Sequence, residues 1–219
     1  MGYGNYYISI SKKPDTQAAW GLNFGGHHIA LSLTSDGKNI AMSPYFIGTD
    51  PSKVKFGKYA GLGVLSKEED YGFLFINTFT KAQKTVAVLK QTVPKDIITT
   101  PQANQRITSD YGAMEFNETQ KAILKMLIQE YTNNFEHEKA LQLFEKIMQS
   151  GIEMVYFAWV CSLENNKPHY YLINGLDFLI EYNNVGFQYE GNHIHTVLHE
   201  KGNDFGEDIL KQQYLESKH

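Results

Sequence analysis

Asn192-His193-Ile194-His195-Thr196-Val197-Leu198-His199 reads as a short β-strand near the end of the chain. Side chains alternate across a strand, so apolar Ile194 and Leu198 share one face and His193, His195 and His199 take the other. Two imidazoles at i and i+2 on a rigid strand stand side by side, which is how a sheet presents a metal ion or an anionic ligand with nitrogen donors.

Upstream, period two persists. Glu153 to Leu163 reads as a long strand with Val155, Phe157, Trp159 and Cys161 on one face, which makes Cys161 a small buried hydrophobe. A turn at 164–168 leads to strands at His169 to Ile173 and Asp177 to Tyr182 around Asn174-Gly175, and 183–186 turns again. In the second of these, Glu181 alternates against Phe178, Ile180 and Tyr182, which puts it on the polar side.

Before Gly151 the period is helical. Ser66-Lys67-Glu68-Glu69 matches a capping box, so a helix is expected over about 67–78, its acidic first turn complementing the helix dipole. Thr80 caps a helix of about 81–91 with Ala82, Val86 and Leu89 inward, stopped by Val93-Pro94. Asp96 to Thr100 reads as a short strand and 101–115 as loop. Asn117 caps a helix of about 118–132 with Ile123, Leu124, Leu127 and Ile128 on one stripe, and Phe135 to Gln149 is another.

The chain opens in strands again: Tyr6 to Ile10, Trp20 to Phe24, and His27 to Thr34 with Ile29, Leu31 and Leu33 toward the core. Gly25-Gly26-His27-His28 opens the third of them. Ser35-Asp36-Gly37-Lys38 is a hairpin signal, and Asn39 to Phe46 returns as one strand. Strands, then helices, then strands argue an α+β fold. The expectation is a single domain over 1–219: an antiparallel β-sheet system from strands at about 6–47 and 153–199, a central helical insertion at about 66–151, and a C-terminal helix at about 206–215.

Composition narrows the function classes. A net charge of −4 without a long basic run argues against nucleic acid or an acidic membrane surface as partner. A single cysteine, Cys161, excludes an internal disulfide and a CxxC zinc site. No apolar run is long enough for a membrane helix. No signal peptide is legible, and the expectation is a soluble protein of the cytoplasm, or an exported one if a leader was trimmed from the start. Oligomeric state is not legible either.

The candidate site joins the two histidine clusters. His28, His193 and His195 would be metal ligands, three imidazoles that leave an open position on zinc, copper or iron. Glu181 would be a fourth ligand or an acid–base group, His27 and His169 near neighbours, and Glu181 or Asp204 could orient His195. There is no G-x-S-x-G elbow, no Walker A pattern and no dinucleotide fingerprint. The rival expectation is a non-catalytic module that holds a small molecule or sugar in an aromatic cleft, drawing on 14 Tyr and 13 Phe. The blandest alternative is sheet-end histidines with a structural role.

Several stretches together resemble a bacterial family of uncharacterised proteins, DUF3500. They are Trp20-Gly21 with Gly26-His27-His28, Ser43-Pro44-Tyr45-Phe46 with Gly48, Glu68-Glu69-Asp70, Phe157-Ala158-Trp159, His169-Tyr170-Tyr171, Leu179-Ile180-Glu181-Tyr182 with Asn184, Asn192 to Val197, and Asp204-Phe205-Gly206. The resemblance runs from about Tyr6 to Tyr214. It carries no assigned activity and implies that the histidine pairs and Glu181 belong to a shared signature. Leu22 stands where the family commonly has tryptophan, and Gln212-Gln213 where it has a histidine.

Overall fold

The computed structural model describes residues 5–90, 92–99, 112, 115–186 and 190–216. Among these, ten strands form one mixed sheet. The N-terminal strands are β1 (Tyr7–Ser11), β2 (Trp20–Gly26), β3 (Ile29–Ser35), β4 (Ile40–Ala41) and β5 (Tyr45–Thr49). The central block holds α1 (Ser66–Asn77), α2 (Lys81–Ala87), β6 (Val88–Leu89), α3 (Glu118–Thr132) and α4 (His137–Gln149). Then come β7 (Tyr156–Cys161), β8 (His169–Asn174), β9 (Phe178–Asn183), β10 (Ile194–Glu200) and α5 (Glu207–Glu216). This is the α+β arrangement expected, with a central helical region and a C-terminal helix.

The sheet runs β1-β2-β3-β5-β10-β9-β8-β7-β6, with β4 against β3. The quoted histidine strand, β10, is thus the seam between early and late strands. Val197 lies opposite Phe46 of β5 on one side and Glu181 of β9 on the other. All pairings among the described strands are antiparallel except β6 with β7.

Alternation assigns each strand residue to a face. Ile194 and Leu198 join Phe157, Trp159, Tyr171, Ile173, Ile180 and Tyr182 in a core closed by Phe75 and Ile76 of α1, Leu124, Leu127 and Ile128 of α3, and Leu143 and Ile147 of α4. Full burial of such side chains stabilises by about 1.5–3 kcal/mol each. The reverse face carries a smaller cluster of Val93, Ala158, Val160, Tyr170, Leu172, Leu179 and Val185. Consequently β8 and β9 are buried along their whole length, whereas β1 is exposed along all of its length.

Several local expectations need correction. The strand expected over Asn39 to Phe46 is split into β4 and β5. Pro44 has no N–H to give a ladder, and the Ser43 hydroxyl oxygen accepts from the Glu200 backbone N–H at 2.7 Å. Ser66 does not cap α1. Leu65 precedes that helix in a left-handed conformation with no side-chain cap, and Glu68 is buried beneath it. Burial, reinforced by Glu130, raises the Glu68 carboxyl to about 7, so it is not a simple dipole partner.

The helix after Thr80 has the expected cap, reciprocated by Gln83, but stops at Ala87. Val88 and Leu89 are taken into the sheet beside Trp159 and Val160, and Val86 is left exposed, so tertiary pairing overrides the helical period. Asn117 caps α3 as expected. α4 starts at His137 rather than Phe135, capped by the Glu136 carboxylate. The long strand expected from Glu153 begins only at Tyr156, after a single 3-10 turn at Ile152–Met154. Cys161 ends it with φ 78° and is exposed, not buried. In β3, Leu31 and Leu33 are only half-buried while Ser32 and Thr34 are buried, because residues 204–206 pack on Thr34. Residues 96–99 are irregular, and the end of that expected strand at Thr100 falls outside the described residues, as does most of the 101–115 loop.

Candidate metal centre

The histidines meet at one end of the sheet. His27 and His28 lie in the turn that joins β2 to β3, and the His28 carbonyl accepts from the Gly48 N–H of β5 at 2.9 Å. His193 precedes β10 and His195 sits within it, opposite Gly48. Gly48 has to be small: a Cβ there would lie 2.7 Å from the Ile194 carbonyl oxygen, 2.8 Å from His195 Cδ2 and 3.0 Å from His28 Cδ2. The missing side chain is the space in which the two rings approach.

The His28 and His193 Nε2 atoms are 3.0 Å apart, and so are those of His193 and His195. His193 stands nearly perpendicular to both rings, at 87° and 89°. His27 adds a ring 4.3 Å from that of His28, and ligand-capable atoms of His27, His28 and His193 all lie within 4.8 Å of one another. The structure therefore brings together the three expected histidines and their expected neighbour His27, with His193 Nε2 common to both 3.0 Å nitrogen–nitrogen approaches.

Carboxylates stand behind the rings. His195 Nδ1 donates to Asp96 Oδ1 at 2.7 Å, while Asp50 Oδ2 is 3.8 Å from His193 Nδ1, beyond hydrogen-bond reach. Burial, followed by the like charge that His27, His193 and His195 would carry, lowers His28 to about 4. Burial and His195 also lower His193. These two rings are neutral at neutral pH, the form that binds metal. Burial alone would raise Asp96, yet the His195 hydrogen bond and charge hold it below the usual carboxylate value.

Glu181 lies on the same face but in a separate network. It is fully buried, and its Oε2 accepts from the Ile98 N–H at 2.7 Å and the Tyr170 hydroxyl at 2.8 Å. Oε1 accepts from the Thr99 N–H at 2.9 Å and from the Thr99 hydroxyl. Thr99 Oγ1 is also 2.9 Å from His199 Nε2, and His199 Nδ1 is 2.8 Å from Asp204 Oδ2. Asp204 therefore partners His199; the carboxylate on His195 is Asp96.

His169 is outside the cluster. It shares the helix-side face with Tyr171, because Tyr170 takes the other, and it stacks at 3° on Trp159 and at 17° on Tyr182. Its Nδ1 donates to the Lys167 carbonyl at 2.9 Å, and burial lowers its pKa to about 4. Sequence reasoning also missed Asp96, Asp50 and the role of Gly48. The first two lie in irregular segments with no periodicity to read. Gly48 had a signal in the sequence, a glycine just ahead of the Thr49-Asp50-Pro51 turn.

A depression of about 380 Å³ lies elsewhere, lined by Lys38, Asn39, Ile40, Glu136, Glu138, Lys139 and Gln142, none of them aromatic. No helix among the described residues is long and apolar enough to cross a membrane. No curated protein and no solved structure matches the chain. Residues 2–207 match the family described as "Protein of unknown function (DUF3500)", nearly the whole chain, and it therefore belongs to that family.

Proposed function

We propose that this chain binds a transition metal, zinc, copper or iron, through the histidine cluster at the sheet end. His28 and His193 would be its common ligands, with His195 or the exposed His27 as the third. The observation that carries this reading is the run of three Nε2 atoms with successive 3.0 Å separations. Two nitrogens about 2.1 Å from one metal ion are about 3.0 Å apart at a 90° angle and about 3.4 Å apart at the tetrahedral angle. Neutral rings satisfy this array poorly on their own. His195 donates its Nδ1–H to Asp96, so the neutral ring presents a lone pair at Nε2. His193 Nε2, with one proton or none, can then make at most one good linear bond to its two neighbours. A cation between two neighbouring nitrogens of the run answers both of their lone pairs together.

Asp96 behind His195 supplies the carboxylate–histidine pairing that fixes ring orientation in metal sites. An ion held by three histidines would keep a position for water or a small molecule, and its chemistry when bound would be polarisation of that ligand or activation of water or oxygen. Elemental analysis of the untagged protein, beside a His193→Ala/His195→Ala variant, tests the reading. About one equivalent of metal, lost in the variant, is expected. No metal on isolation and no uptake on titration with Zn(II), Cu(II) or Fe(II) would overturn it.

A further inference from the structure

Residues 94–99 lie across β9 and β10 without joining the sheet, and side chains of those two strands hold them at Pro94, Asp96, Ile98 and Thr99. The Pro94 carbonyl accepts from Asn183 Nδ2 at 2.8 Å, and Asp96 accepts from His195. The Ile98 N–H, the Thr99 N–H and the Thr99 hydroxyl all go to Glu181. We propose that Glu181 is a positioning residue of the histidine centre: it anchors this segment so that Asp96 is held against His195. The proposal rests on the metal reading for its function, though not for its geometry.

Three features carry it. Glu181 accepts two hydrogen bonds on each oxygen, three of the four from the segment and one from Tyr170, which itself spans to Glu181 from the neighbouring strand β8. A carboxylate so occupied, with no solvent exposure, is committed to the segment rather than turned to an ion. Second, the anchor is close to the group it places. Two residues of chain span at most about 7 Å, so a grip on Ile98 confines Asp96 to the neighbourhood of His195. Third, the segment has no other regular structure to hold it. Residues 96–99 make no ladder, and Asp96 Oδ1, the oxygen that accepts from His195, also accepts from the Ile97 N–H at 2.7 Å.

The physical consequence is a coupling between a buried carboxylate and a ring it does not touch. Asp96 fixes which His195 nitrogen bears the proton, and so which one presents a lone pair to an ion. Loss of the Glu181 grip would release Asp96 and with it that tautomer. Loss of an outer-sphere carboxylate of this kind costs about 10–100-fold in metal affinity.

The test uses Asp96→Asn, Glu181→Gln, the double variant, and Thr99→Val, which removes one hydroxyl with little change of shape. Two readouts are taken on each: nitrogen-15 NMR of the His195 ring in metal-free protein, and Co(II) affinity by visible absorption. Glu181→Gln and Thr99→Val should shift the His195 ring resonances in the direction of Asp96→Asn. Co(II) affinity should fall about 10–100-fold in Asp96→Asn, with Glu181→Gln approaching that loss. The double variant should lose no more than Asp96→Asn alone, because both substitutions break one linkage. Unchanged His195 resonances in Glu181→Gln, or losses that multiply in the double variant, overturn the proposal. If Glu181→Gln fails to fold, Thr99→Val decides in its place. If the wild-type protein takes up no Co(II), the metal reading falls, and the ring resonances still settle the coupling.

Discussion

Tyr182 and Glu181 are neighbours in β9 and face opposite ways. Tyr182 stacks at 2° on Tyr171 beneath the helices, in a core of rings and aliphatic chains. Glu181 meets two backbone N–H groups and two hydroxyls on the reverse face. The same contrast separates His169 from His195. His169 is packed between Trp159 and Tyr182, its Nδ1 tied to backbone, whereas His195 has a carboxylate behind it and another imidazole in front. One set of strands thus carries the larger apolar core on the helix side and the histidine–carboxylate networks on the other, and a histidine's surroundings follow from the face it occupies.

The largest effect that tests this division is expected on the helix side. Phe75 is fully buried and makes edge contacts with Phe79, Phe116 and Phe157. Phe75→Ala should lower the unfolding free energy by about 3–5 kcal/mol, measured by chemical denaturation. Metal affinity of the folded variant should stay within about twofold of wild type. A comparable loss of affinity would mean that the two faces are not separable.

His169 gives the next effect. Its pKa is lowered from 6.5 to about 4 by burial, so the folded state prefers the neutral ring. The stabilisation is present in full above pH 6.5 and is lost as pH falls from 6.5 through 4. Linkage puts its size at about 3 kcal/mol. His169→Phe keeps an aromatic ring in the stack and cannot titrate, so its stability should fall less steeply over that window. Parallel wild-type and variant profiles would show that His169 is not held neutral by the core.

What the sequence made legible follows the same division. Period two in Asn192 to His199 put Ile194 and Leu198 inside and His193 and His195 together, because a strand with one apolar face has a fixed register. Alternation likewise turned Glu181 away from Phe178, Ile180 and Tyr182. It could not place His169, because tyrosines on both parities, Tyr170 and Tyr171, leave the face undecided until the partner strand is known. Asp96 was beyond reach for a different reason. It lies in an irregular segment about a hundred residues before His195, held there by tertiary hydrogen bonds from Asn183 to Pro94, from His195 to Asp96 and from Ile98 and Thr99 to Glu181. Leu89 and Val86 misled for the converse reason: a helical stripe continued in sequence while the sheet edge claimed the chain at Val88.

The smallest effect probes the chemical face alone. Gly48 lies in an extended strand, and alanine fits that backbone, so a Gly48→Ala substitution acts through space. The added methyl would crowd His195 Cδ2, His28 Cδ2 and the Ile194 carbonyl oxygen, at 2.8, 3.0 and 2.7 Å. The two rings must move apart or tilt, and the site loses its spacing. Co(II) affinity should fall about tenfold, equivalent to about 1.4 kcal/mol. Gly25→Ala in β2 is the control, because a Cβ there meets nothing within 4 Å. It should leave affinity unchanged. If Gly25→Ala weakens binding as much as Gly48→Ala, the effect comes from the strand backbone and not from the rings. If neither does, the space beside Gly48 is not what sets the distance between His28 and His195.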